Sequence, residues 1–238
     1  FIAAYAAIEV GHLISGKTPV DIVVTPLATI AVGAVIAFIT GPYINTFTGW
    51  LGTLITINVE AHPFIGGIIV SALMGIFLTL PISSAAIGVS MGITGVAAGA
   101  ATIGCCCQMV GFAVASYREN KMGGLIAQGI GTSMLQVPNI VKKPLIWIPP
   151  IVSSAILGPV SSAILRMTST PTGSGMGSAG FVGQIMAWQS MTQTMSVPVA
   201  AIEIILMHFV LPALITLAVS EWMRKMKWIK DGDMLLRL

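Results

Sequence analysis

The residues from Asp21 to Thr40 form an apolar run with no charge after Asp21, and runs of similar character recur at 64–80, 144–165 and 197–222. About 20 such residues cross a bilayer as a helix. The chain is 55% hydrophobic and only 8% charged over 238 residues, where soluble domains carry about 25% charge. The pattern therefore predicts an all-α, polytopic membrane helix bundle. Nucleic-acid binding has no support, because there is no basic stripe and no interleaved aromatics. The bilayer also constrains everything irregular, since an unpaired backbone NH or CO finds no partner in lipid.

That constraint bears hardest on Thr168-Ser-Thr-Pro-Thr-Gly-Ser-Gly-Met-Gly-Ser-Ala-Gly180 and the Phe-Val-Gly-Gln184 that follows, a small, polar, glycine-rich stretch between two apolar runs. It is either an external loop or a helix broken inside the membrane, and broken helices are where transporters commonly hold a substrate. The expectation is the break. Gly123 to Val137 is a second short, glycine-interrupted segment, read as a re-entrant hairpin between basic loops at Arg118–Lys121 and Lys142–Lys143. By the positive-inside rule both loops, and the basic tail at Arg224, Lys225, Lys227 and Lys230, are cytoplasmic. Anionic lipid would attract that tail.

Elsewhere, Gly16 to Pro19 reads as a turn. Gly41-Pro42 should end a helix, and Tyr43 to Ile57, with Trp50, suits a headgroup-level helix. The glycines between Ile82 and Tyr117 predict close helix packing and a kink near 99–104, and Pro149-Pro150 should kink the run from Pro144 to Leu165. Phe1 opens inside an apolar run, which predicts that a longer parent precedes it. The three cysteines are consecutive, Cys105 to Cys107, which suits packing rather than a staple or a CxxC metal site. No metal and no cofactor is implied.

Two parts of the chain echo each other. His62-Pro63-Phe-Ile leads to Pro81-Ile-Ser-Ser-Ala85, as Lys143-Pro144-Leu-Ile leads to Pro159-Val-Ser-Ser-Ala163; Gly124-Leu-Ile-Ala-Gln128 is matched by Gly180-Phe-Val-Gly-Gln184. A single transmembrane domain over 1–238, with repeat halves 62–139 and 143–198, is the expectation, parallel or inverted. Paired interrupted segments point to a transport site.

The candidate solute-binding residues are Glu60, His62, Gln128, Asn139, Ser174, Gln184 and Gln189. Glu60 and His62 offer a carboxylate and an imidazole two residues apart, or else form an interfacial pair where charge costs little. An amide both donates and accepts, which suits a polyol, and equally suits glue between helices; the repeat pairs Gln128 with Gln184. Glu203 and His208, five apart, should not share one helical face. There is no HExxH, GxSxG or P-loop, although Gly173-Ser-Gly-Met-Gly177 offers amides for an anion nest.

The HxP…SSA…GhhxQ…VPN pattern and the Gly-Ser-Gly-Met-Gly-Ser-Ala-Gly-Phe-Val-Gly-Gln run resemble the EIIC-like membrane subunits of phosphotransferase systems, including perfringolysin-O-regulator-like proteins. The likeness runs through Gly104–Met109, Ser116–Asn120, Gly123–Asn139 and Thr170–Gln184. It implies a permease subunit in a bacterial inner membrane, carrying a sugar that separate cytoplasmic phosphoryl-donor proteins phosphorylate. By the same likeness Glu60 and His62 take the part of a sugar-binding glutamate and histidine. A homodimer is an open arrangement, and a non-transporting sensor or lipid-binding protein of the same family is the alternative.

Overall fold

The computed structural model describes residues 2–17 and 20–236; Phe1 and the Thr18-Pro19 half of the expected turn lie outside them. The described residues are helical, and their one bridge pairs Gly95 with Ser169. Four helical stretches are long and apolar enough to cross a membrane: Asp21–Ala61, Gly95–Ala115, Pro144–Leu165 and Val197–Lys225. The chain divides into two compact units, 1–50 and 51–238.

The first unit contains α1 (Ile2–Ile14) and most of α2 (Asp21–Ala61). Gly11 lies against Thr29 and Gly33 against Ala7, so small residues let the two helices touch. Gly41-Pro42 does not end the helix, and no separate interfacial helix begins at Tyr43; α2 runs straight through. Proline removes one backbone bond, but an apolar chain keeps the rest only by staying helical, and that outweighs the single loss.

The second unit is arranged around α5 (Gly95–Ala115), whose side chains are nearly all buried. Against it pack α3 (Pro63–Thr79) and α8 (Ile148–Pro159). The three helices meet through small residues. A Cβ at Gly104 would overlap the Ser71 carbonyl, one at Gly75 would press on the Gly104 carbonyl, and one at Gly158 would overlap Ser71 and the Gly67 carbonyl. Ser71 Oγ donates to the Ser154 carbonyl at 2.7 Å and Ser154 Oγ to the Gly104 carbonyl at 3.3 Å. Glycine in α5 therefore serves contact and not bending: the kink expected near 99–104 is absent, and the chain breaks instead at Gly92–Thr94, before α5 begins.

The remaining helices are α4 (Ser84–Met91), α6 (Tyr117–Ile126), α7 (Val137–Lys142), α9 (Pro171–Ser174), α10 (Val182–Met191), α11 (Val197–Ile205) and α12 (Leu211–Lys225). Wide π-turns occupy Ala127–Gly131, Val160–Leu165 and Leu206–Val210, and all three pack on α5. Such turns often mark functional positions. Pro149 and Pro150 fall in the first turn of α8, where a missing NH leaves no bond unmade, so they start the helix rather than kink it. The two Ser-Ser-Ala echoes differ in conformation: Ser83 caps α4, while Ser161 and Ser162 lie within a π-turn.

Replacing Gly104 by Val should lower thermal stability in detergent by about 1–3 kcal/mol or more, because the Ser71 backbone cannot retreat. Gly123, with open space around its Cα, is the control: Gly123→Ala should leave the melting temperature within error of the parent.

Candidate functional site

The glycine-rich stretch is enclosed. Ser169, Gly173, Ser174, Gly175, Gly177 and Ser178 are buried, pinned from three sides. The Ser169 NH donates to the Gly95 carbonyl at 3.2 Å, Ser84 Oγ donates to the Gly175 carbonyl at 2.6 Å, and Ser178 Oγ donates to the Gly129 carbonyl at 2.6 Å. Gly177, at φ 54°, sits where a Cβ would strike Cys105, so both the left-handed backbone and the close approach require glycine. These backbone groups of the break find partners in protein, as a bilayer demands, while Ser169 Oγ is buried without one.

The Ser178–Gly129 bond joins this break to the π-turn at 127–131, so the two interrupted segments meet. Between them lies a chamber of about 160 Å³. Gly131, Thr132 and Met134 line it from one segment and Gly175, Met176 and Ala179 from the other, with Ser83, Ser84 and Met109 among its remaining walls, and it is partly open. It is smaller than the roughly 300–1,000 Å³ usual for ligand clefts. Beside it, Gln108 Oε1 accepts from Trp147 Nε1 at 2.9 Å and from Thr79 Oγ1 at 3.2 Å, while Thr79 pairs with Ser133 at 2.9 Å. Gln108 is fully buried, and its Nε2 has no hydrogen-bond partner. An unsatisfied buried donor is expensive and calls for an explanation.

The seven residues singled out from sequence are not brought to one place. Ser174 is buried at the break, its hydroxyl bonded to the Pro171 carbonyl at 2.7 Å, and its neighbour Gly175 lines the chamber. Gln184 faces α5 from the side: its Nε2 lies 3.4 Å from Cys106 Sγ and 3.1 Å from His208 Nδ1, while its Oε1 is buried without a partner. The outward side of Gln184 borders an apolar groove of about 320 Å³ with Ile185, Trp188 and Ile204. Glu60 and His62 are exposed near the N-terminal end of α5, where the Glu60 carboxylate approaches Gly95. Gln189 is exposed on α10.

Gln128 and Asn139 lie at the opposite end and belong to a clasp. Gln128 Nε2 donates to Ser116 Oγ at 2.8 Å and to the Gly124 carbonyl at 2.9 Å; Gln136 Nε2 donates to Gln128 Oε1 at 2.8 Å and to the Met234 carbonyl at 3.0 Å. Asn139 Nδ2 donates to Gln136 Oε1 at 2.8 Å and to the Leu235 carbonyl at 3.0 Å. These amides tie down the C-terminal tail, helped by a buried Arg224–Glu119 pair at 2.8 Å and by Lys143–Asp233 at 3.5 Å. Each cysteine of the triplet serves a separate neighbour. Cys105 donates to the Met74 and Ser174 carbonyls, Cys106 accepts from Gln184, and Cys107 accepts from Ser153.

Thr132, Ser133, Ser83 and Ser84 are not among the sequence candidates, and Gln108 is there only one of several amides that suit a polyol or glue between helices. Thr132-Ser133, the hydroxyl pair after Gly129-Ile-Gly131 inside an apolar segment, is the signal that could have pointed there. Glu203 and His208 are separated by the start of a π-turn, so straight α-helical spacing does not describe them.

A multi-pass helical membrane protein, with two interrupted segments closed on each other over a small chamber, has the build of a transport protein. The chain matches the family model "Phosphotransferase system, EIIC" over residues 1–236 and belongs to that family. It is thus a membrane transport component that works with other proteins of a phosphotransferase system. Comparison with curated proteins and with solved structures gave no match.

Gln136→Leu should release the tail, since it strands the Gln128 and Asn139 amides and the Met234 carbonyl, at about 1–3 kcal/mol for each group left unsatisfied. Hydrogen exchange of amides 231–236 should speed up at least ~10-fold, with α5 unchanged.

Proposed function

We propose that the protein is the solute-carrying subunit of a bacterial sugar phosphotransferase system and lies multi-pass in the cytoplasmic membrane. The sugar binds between the segments at 127–136 and 175–179, and separate cytoplasmic proteins donate the phosphoryl group. The observation that carries this reading is the Ser178–Gly129 contact, which closes the two segments over the chamber. A chamber this small must open to admit a sugar, and parting two interrupted segments is the motion that alternating access needs. The idle Gln108 amide and the Thr132, Ser133 and Ser84 hydroxyls are the groups such a movement would offer to a polyol.

Ser174 and Gln184 flank the site in this proposal. Glu60 and His62, near Gly95, and Gln189 on α10 lie outside its lining, while Gln128 and Asn139 support the moving wall. In the second unit every described lysine and arginine except Arg166 gathers at the Ala115 end of α5, which favours that end and the C-terminus being cytoplasmic. Lys121, Lys142 and the neighbouring Arg118 and Lys143 then face the phosphoryl donors. The apolar groove beside Gln184 favours a second reading, a sensor for an apolar ligand that transports nothing.

Vesicles carrying the protein decide between them. With phosphoryl donors and a panel of labelled sugars, the permease accumulates at least one as its phosphate; no uptake and no phosphorylation across the panel leaves the sensor. Thr132→Val should weaken apparent sugar affinity about 10-fold through one lost hydrogen bond of roughly 1–1.5 kcal/mol, and Thr132→Ser should restore it. Equal affinity in all three would move the site elsewhere.

A further inference from the structure

Two cavities adjoin at the basic end of the second unit. One, of about 500 Å³, runs between apolar side chains of α5, α6 and α12, with Val114, Leu125 and Leu217 in its wall and Tyr117 beside them. The other, of about 490 Å³, is a groove containing Arg118, Arg224, Lys225, Lys227 and Lys230. Arg118 and Glu221 line both, so the cavities are neighbours on either side of that ion pair.

The charge in the groove is not balanced from within. Its two carboxylates are already engaged, Glu221 by Arg118 at 2.7 Å and Asp231 by Arg224 at 2.9 Å. Lys225, Lys227 and Lys230 are exposed and, among the described residues, in no ion pair. Trp222 and Trp228 stand beside them, edge to face at 5.5 Å and both half-exposed. Tryptophan at a helix end marks headgroup depth. A cationic groove beside an apolar slot, with tryptophans that suit headgroup depth, matches one ligand in shape and charge.

We propose that this double cavity binds an anionic phospholipid, its phosphate on Lys225, Lys227 and Lys230 and one acyl chain in the slot past Leu217. Basic pockets between membrane helices hold acidic headgroups in this way. An inorganic anion would leave the apolar slot empty, and a soluble protein would not use it. The proposal stands apart from the transport reading, since none of these residues lines the solute chamber.

The test uses the full chain, purified in detergent from vesicles containing equal phosphatidylglycerol and phosphatidylcholine, with retained lipid measured by native mass spectrometry. The parent should hold phosphatidylglycerol in preference to phosphatidylcholine, and the lipid should raise the melting temperature. The triple variant Lys225→Glu, Lys227→Glu, Lys230→Glu should lose that preference by at least ~10-fold. Leu217→Trp, which fills the slot and leaves the lysines, should also lose retention while keeping the parent's melting temperature in lipid-free detergent; if it does not fold, the lysine variant decides alone. Equal retention of both lipids, displacement of phosphatidylglycerol by glycerol phosphate as readily as by intact lipid, or full retention by folded Leu217→Trp each overturns the proposal. So does a groove that keeps no lipid but binds an acidic protein.

Discussion

Backbone touching backbone, where α3, α5 and α8 cross, is the contact on which the second unit depends. Gly67, Gly75, Gly104 and Gly158 bring main chains together without intervening side chains, and Ser71, Ser154 and Ser162 fill the remaining space with hydroxyls bonded to neighbouring carbonyls. In lipid there is little hydrophobic gain in pressing one apolar helix on another, so association relies on such close packing and on hydrogen bonds between helices. The tight centre also has a geometric result. With α5 buried almost throughout, the room that remains lies at its Ala115 end, beside the breaks around it and along the groove between α10 and α11.

Those breaks are held by their surroundings and not by their own helical bonds. The carbonyls of Gly175 and Gly129 are taken up by Ser84 and Ser178, and the amide of Ser169 by Gly95. A segment satisfied by its neighbours is rigid while they stay and free when they move, which suits a gate. In the proposed reading Ser84, whose hydroxyl holds the Gly175 carbonyl, is also one that a polyol could claim when the segments part. At the far end the amides of Gln128, Gln136 and Asn139 work differently: their bonds are made within the protein, to a tail that they hold in place.

Much of this was legible in the residues. Apolar runs located three of the four candidate spans, because twenty residues without charge have few other fates; Gly95–Ala115 stayed hidden among glycines that suggested a kink, and the run at 64–80 forms the shorter α3. The glycine-rich stretch is sheltered, as its composition suggested, because Gly177 and its neighbours have no side chain to keep another helix away. What escaped was whatever depends on a partner. Pro42 passes through α2 because the neighbouring backbone stays bonded, and Gly99 packs against the Met167 carbonyl instead of bending α5; neither can be told from spacing alone. The glutamines looked alike in sequence. Only the fold separates Gln128, whose amide is fully engaged, from Gln108, whose nitrogen has no partner. The π-turns at 127–131 and 206–210 shift the register of whatever follows them, and so Thr132 and His208 fall where an α-helical count would not put them.

In the proposed function, sheltered, interrupted backbone forms the place where solute is held. Its most direct measurement is labelling of Met176→Cys by a membrane-impermeant thiol reagent, with exposed Thr172→Cys as reference; the native cysteines are buried and serve as a silent background. The account predicts slow labelling at 176 that a transported sugar slows further, with position 172 reacting quickly whether or not sugar is present. Labelling at 176 as fast as at 172 and indifferent to every transported sugar would contradict it.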